Sequence, residues 1–166
     1  MKNILYLFLA LASYGISAQA SAEEYLKSAV SKFYLDNMED AIVDYTKAIK
    51  IDPNYVEAYR KRGLAKETLK DYSGAIVDYT KAIEIDPNYA PAYRDRAIVK
   101  GKLKDHSGVV EDFTRAIEID PNYATAYFNR GVSKFHLGDM IGACKDARKA
   151  QELGDDASIL IKKACN

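Results

Sequence analysis

The chain has 166 residues, with 24 Lys and Arg against 24 Asp and Glu, two His, two Cys, thirteen Tyr and no Trp. Zero formal charge gives no electrostatic footprint for nucleic acid or acidic lipid, and 48% hydrophobic with 29% charged side chains is a globular balance. Two cysteines make neither a disulfide-dense scaffold nor a four-ligand zinc site, and no metal or other cofactor is expected.

Met1-Lys2-Asn3 is a short positive start, followed by an apolar run over residues 4–16 and then Ser17-Ala18-Gln19-Ala20. A membrane span needs about 20 apolar residues, so the run is too short to be one. Ala18 and Ala20 have the small-x-small spacing of a cleavage site. Residues 1–20 are therefore expected to be a cleaved secretory signal, leaving a protein that is periplasmic or secreted and does not insert into the membrane. No cysteine stands near the cut to carry a lipid anchor. Ser21-Ala22-Glu23-Glu24 then reads as a capping box opening the first helix of the mature chain.

Asp52-Pro53-Asn54-Tyr55 recurs as Asp86-Pro87-Asn88-Tyr89 and as Asp120-Pro121-Asn122-Tyr123, each time 34 residues on. The stretch from Ala41 to Ile49 reappears from Ala75 to Ile83, and more loosely from Val109 to Ile117. The period defines units at 22–55, 56–89, 90–123 and 124–157, with 158–166 left over. Each unit reads as two helices. In the second, Tyr59, Gly63 and Leu64 start one face, Ile76, Tyr79 and Ile83 make another, and Lys70-Asp71-Tyr72-Ser73 is the turn between them. The Asp-Pro-Asn step ends the second helix, because proline disfavours helical geometry in the residue before it. Pro91 falls where the next helix starts and its missing N–H costs nothing. Small residues mark the close approach of paired helices: Ala29, Gly63, Ala97 and Gly131 on one side, Ala41, Ala75, Val109 and Ala143 on the other.

These features resemble the tetratricopeptide repeat family. The period matches, as do the aromatics Tyr25, Tyr59, Tyr93 and Tyr127, the glycines Gly63 and Gly131, and the alanines and prolines quoted above. The resemblance covers the whole of residues 21–166. It departs at Ser28, Arg62, Arg96 and Arg130, where the family often has Leu, and at Ala147, where the other units have an aromatic. It implies an all-α fold, a right-handed superhelix of four stacked helix-turn-helix units closed by a short helix over residues 158–164, with Ile159 and Leu160 turned inward.

Cys144 and Cys165 lie equidistant from the turn at Gly154-Asp155, so an antiparallel helix hairpin sets them at one height. An oxidising compartment then favours a Cys144–Cys165 disulfide that pins the closing helix. Asp44, Asp78, Asp112 and Asp146 hold one place in the period, and Arg62, Arg96 and Arg130 another, which predicts a ladder of Arg–Asp contacts fixing register. His106 stands in a turn beside Asp105 as a solvated residue. No HExxH, phosphate loop or GxSxG motif occurs, no catalytic residue is assigned, and the chain is read as a non-enzyme.

In similar repeats the ligand lies along the concave face made by the first helix of each pair. The residues placed there are Leu26, Val30, Phe33 and Tyr34; Arg60, Leu64 and Glu67; Arg94, Ile98 and Lys102; and Phe128, Val132, Phe135 and His136. This surface is aromatic at both ends and cationic at Arg60 and Arg94, which suits a peptide bringing apolar anchors and an acidic group. Val30, Leu64, Ile98 and Val132 stand where family members that clamp chaperone C-termini need asparagine, so that ligand class is not expected. The leading reading is an exported scaffold or adaptor for a protein or peptide partner, monomeric or weakly self-associating. The alternative is a structural protein of the cell envelope that self-assembles through the ends of its array and has no peptide ligand.

Overall fold

A computed structural model describes residues 21–165. The expected signal segment and its cleavage site lie outside the described residues. Ser21 is the first described residue and is helical.

Among the described residues the chain is all-helical. Helix α1 covers 21–34, followed by α2 (Met38–Ile51), α3 (Val56–Thr68), α4 (Tyr72–Ile85), α5 (Ala90–Lys102), α6 (His106–Ile119), α7 (Ala124–His136), α8 (Met140–Glu152) and α9 (Ser158–Ala164). The helices fall into two compact units, one ending at Ile85 and the other beginning at Asp86. In the first, α2 packs on α3 and α3 on α4; in the second, each of α5 to α8 packs on its successor and α9 closes onto α8.

The Asp-Pro-Asn step works as its chemistry requires. Asp52, Asp86 and Asp120 each accept from the backbone N–H two residues on, at 3.0 Å, so the carboxylate holds the chain in a turn after the helix ends. The tighter turns inside each pair repeat another device. Asp71, Asp105 and Asp139 accept from the N–H groups of Gly74, Gly108 and Gly142 at 2.8–2.9 Å and cap α4, α6 and α8. The turn preceding α4 is thus shorter than expected, since Tyr72 and Ser73 are already helical. His106 is likewise the first residue of α6 rather than a turn residue.

One residue before each cap the backbone turns left-handed: Asp36 has φ 62°, Lys70 63°, Lys104 62° and Gly138 84°. Only the last has the residue type that adopts this conformation without strain. Lys104→Gly is therefore expected to raise stability by about 0.5–1 kcal/mol, read from the shift in urea midpoint.

The small-residue positions are buried throughout. Ala29, Ala97, Ala41, Ala75 and Ala143 are fully covered, and Val109 nearly so. At Gly63 the reason is explicit. A Cβ there would stand 2.6 Å from Cε1 of Tyr79, a ring whose hydroxyl donates to Glu67 at 2.9 Å. Leu26, expected on the concave face, is instead part of the core with Tyr45 and Met38.

The Arg–Asp ladder lies within the α3–α4, α5–α6 and α7–α8 pairs. Arg62 grips Asp78 with two bonds of 2.9 and 2.6 Å, Arg96 grips Asp112 with 3.0 and 2.6 Å, and Arg130 grips Asp146 with 2.8 and 2.7 Å. A lysine one turn further joins each acid: Lys66 at 2.7 Å, Lys100 at 3.0 Å and Lys134 at 2.8 Å. Across a joint, Arg62 also donates to Thr46 at 3.0 Å and Arg130 to Thr114 at 3.2 Å.

The first repeat has Ser28 where the others have arginine, and Asp44 takes bonds from Ser28 (2.7 Å), Lys32 (2.5 Å) and Lys47 (2.9 Å). Burial pushes the Asp44 carboxyl up, but these three donors outweigh it and hold the pKa at about 2. A depressed carboxylate pKa stabilises the fold above the unfolded value and loses that stabilisation as pH falls through the folded one. The Asp44 contribution, about 2 kcal/mol, should therefore fade between pH 4 and pH 2. Denaturant titrations of the wild type and Asp44→Asn should differ at pH 6 and converge at the acid end.

At the C-terminus α9 turns Leu160 and Ala164 inward, while Ile159 is 73% exposed. The expectation that Ile159 also faced inward fails because seven residues make two turns, whose buried stripe already holds 160 and 164, one full turn apart. The sulfurs of Cys144 and Cys165 stand at bonding distance, 2.10 Å, with Cα atoms 5.1 Å apart.

Candidate functional site

Each unit carries part of the expected concave surface. In the first, the C-terminal turn of α1 and the first half of α3 enclose a hollow of about 200 Å³, lined by Val30, Phe33, Tyr34, Tyr45, Arg60 and Leu64, with Lys61 beside them. Phe33 meets Tyr34 edge-on at 6.0 Å, and Tyr34 is 81% exposed. Phe33 is half-buried against the core, and beside the open Tyr34 stand Arg60 and Lys61, the latter paired with Glu57 at 3.5 Å; an amphipathic aromatic in the open suits a peptide-binding surface better than a sealed core. Burial, and then the Glu57 carboxylate, push the Tyr45 hydroxyl up to about 12, so this wall presents a neutral phenol at any physiological pH.

In the second unit, α7 and α9 enclose a hollow of about 270 Å³ between Phe128, Val132, Phe135 and Leu160, with His136, Asp156 and Lys163 among its polar neighbours. Phe135 lies edge-on to His136 at 6.0 Å. Closure by α9 makes this the more apolar of the two hollows, and Ile159, left outside the core, forms part of its rim.

The middle of the expected surface is less open. Ile98 is 41% exposed and Lys102 is exposed, but Arg94 is half-buried and already engaged. It pairs with the buried Asp95 at 2.7 Å. Burial works against the Arg94 charge, and Asp95 with Tyr123 outweighs it and raises the pKa further. Arg94 is thus part of a balanced pair rather than a lone cation. Arg60 sits in the wall of the first hollow.

A contact that the sequence reading did not include joins His106 to His136: their rings stack at 4.5 Å and 16°. A signal for it was present. Their midpoint falls on Pro121, in the turn between α6 and α7, and the same equidistance rule paired Cys144 with Cys165. No group of three or more His, Cys, Asp or Glu is placed to hold a metal ion among the described residues, and none of their helices is long and apolar enough to cross a membrane.

Known proteins confirm the repeat. The TPR repeat model matches residues 32–70 and the tetratricopeptide repeat model matches 56–89, so tetratricopeptide repeats are present in the chain. None of the curated proteins matches the sequence. Among solved structures, a crystal structure of MamA is 26% identical with a TM-score of 0.76, over 85% of this chain and 83% of that one. The first TPR domain of Spaghetti (RPAP3), bound to the HSP90 peptide SRMEEVD, is 23% identical with a TM-score of 0.69, over 72% and 95%. The TPR domain of Arabidopsis OM64 is 24% identical with a TM-score of 0.68, over 72% and 98%. These neighbours share the fold: consecutive helix pairs packed as in tetratricopeptide repeats. Such a fold suggests a protein–protein interaction module, and the Spaghetti domain carries a peptide.

Proposed function

We propose that this protein is an exported adaptor that holds a peptide segment of a protein partner against the concave face of its repeats. The observation that carries the reading is the exposed Tyr34, set edge-on to a half-buried Phe33 beside Arg60 and Lys61 at the mouth of a hollow. The ligand it suits is an apolar side chain followed by an acidic group: the anchor enters between Val30, Phe33 and Leu64, and the acid meets Arg60 and Lys61. A similar anchor fits between Phe128, Val132 and Phe135. The apolar run and Ala-x-Ala step of residues 1–20 support export by a cleaved signal.

The test is affinity capture from a cell-envelope extract, with the wild type beside a Tyr34→Ala/Arg60→Glu chain. Both positions are at the surface of the hollow, so the fold should survive, and circular dichroism checks that. Proteins held by the wild type and lost at least tenfold by the variant, by about the effect of removing one aromatic anchor and reversing one charge, identify the client. Equal capture by both chains removes the groove from the function.

A further inference from the structure

The last repeat ends as no other does. Carried forward by 34 residues, the period sets α9 in the register of the first half of α7: Leu160 stands in the place of Ala126, Ala164 in that of Arg130, and Cys165 in that of Gly131. Helix α9 is the first half of a fifth odd-numbered helix, and it lies on the α8 face against which a following repeat would stack. Its short reach shows in two methionines that are equivalent in the period. Met38 is 6% exposed, in a core shared with Ala58 and Ala65 of α3, whereas Met140 is 43% exposed.

The polar contact that recurs at the joints is exchanged at the two ends. Thr46 and Thr114 accept from Arg62 and Arg130 of the following repeat. In α8 the threonine place is taken by Arg148, which is exposed, and in α1 the arginine place is taken by Ser28. Ser28 lies with Ser21, Glu24 and Tyr25 around an open hollow of about 290 Å³, and its hydroxyl leads to Asp44, whose bonds come from a serine and two lysines rather than from an arginine. The charges agree. Residues 22–55 hold seven acidic against four basic side chains, and residues 124–166 hold seven basic against five acidic.

We propose that the α8 face is a docking site for the first repeat of a second copy of this chain, with Arg148 entering the α1 hollow toward Ser28 and Asp44, and that α9 covers this site while the Cys144–Cys165 bond holds it. A dithiol reductant opens it. Two electrons and two protons pass to the cystine, both cysteines become thiols, and the reductant leaves as its own disulfide. A helix of seven residues, with only the Asp156 carboxylate accepting from the Ser158 N–H at its start, does not hold itself together, so the freed segment gives way to the incoming helix. Each added copy exposes a fresh end, and assembly proceeds head to tail.

The experiment is sedimentation equilibrium on the protein as the cell processes it, its N-terminus read from the intact mass. The oxidised protein should have the mass of one chain at every concentration. With dithiothreitol the mass should rise with concentration past that of two chains. A cysteine-free Cys144→Val/Cys165→Ala chain should associate without reductant, which separates stacking from intermolecular disulfides, and Arg148→Glu in that background should weaken association by at least about tenfold. The Tyr34→Ala/Arg60→Glu chain should assemble normally, because this inference does not rest on the peptide-groove reading. A folded cysteine-free chain that stays single overturns the proposal, as does association indifferent to Arg148→Glu or equal in the oxidised protein. Loss of helical dichroism beyond the seven residues of α9 in the cysteine-free chain also overturns it, because α9 is then part of the core and not a removable cover.

Discussion

Replacing Asp112 by alanine is expected to lower the free energy of unfolding by about 3–5 kcal/mol, the largest effect of any single polar substitution in this chain. Asp112 is 0% exposed and neutralises two cations at once, Arg96 through two bonds and Lys100 at 3.0 Å. Without the carboxylate, both cations remain in a space made for an ion pair, and neither side chain is more than slightly exposed. The penalty comes from the charges left behind rather than from the worth of the contact. A second variant separates these terms. Arg96→Met/Lys100→Met/Asp112→Leu removes the whole cluster and should come back to within about 1 kcal/mol of the wild type or exceed it. Urea unfolding followed by circular dichroism measures both. If the triple variant is as unstable as Asp112→Ala, the ion cluster itself stabilises the pair. If it is stable, the cluster serves to fix the register of the two helices.

The reason this cluster was legible in the sequence also explains what was not. A residue copied at the same place in several repeats must satisfy the same neighbours each time, so the recurrence of Asp78, Asp112 and Asp146 with Arg62, Arg96 and Arg130 announces a shared contact. Their separation of 16 residues is what an antiparallel pair with a three-residue turn brings level. The same logic places the helix ends at the Asp-Pro-Asn steps and the small residues at the helix crossings. Features present once carry no such signal. The period puts Arg94 on the ligand-facing side of the first helix of a pair, but its partner Asp95 is adjacent in sequence and occurs in that repeat alone. Ile159 and Leu160 are indistinguishable as side chains, and only the packing of a two-turn helix on α8 decides between them. The stacked His106 and His136 belong to neither copied set, and equidistance from the turn at Pro121 was the one clue to them.

Breaking the Cys144–Cys165 cross-link should cost about 3 kcal/mol by loop-closure arithmetic for a 21-residue separation, and the loss should begin locally. Helix α9 contributes only Leu160 and Ala164 to the buried core, a small apolar area against the conformational entropy of fixing seven residues. Once untied, the segment should exchange its amide hydrogens at near the rate of an open chain. The buried helices α6 and α7 keep their protection until the unit unfolds as a whole. Amide exchange by mass spectrometry at low protein concentration, with and without dithiothreitol, reads both effects and holds self-association aside. Uniform loss of protection across α5 to α9 would mean that the closing helix is structurally inseparable from its unit. Loss confined to residues 158–165 would show that the last joint is held by one covalent bond, where the joint between α6 and α7 is held by buried side chains and the Thr114–Arg130 contact.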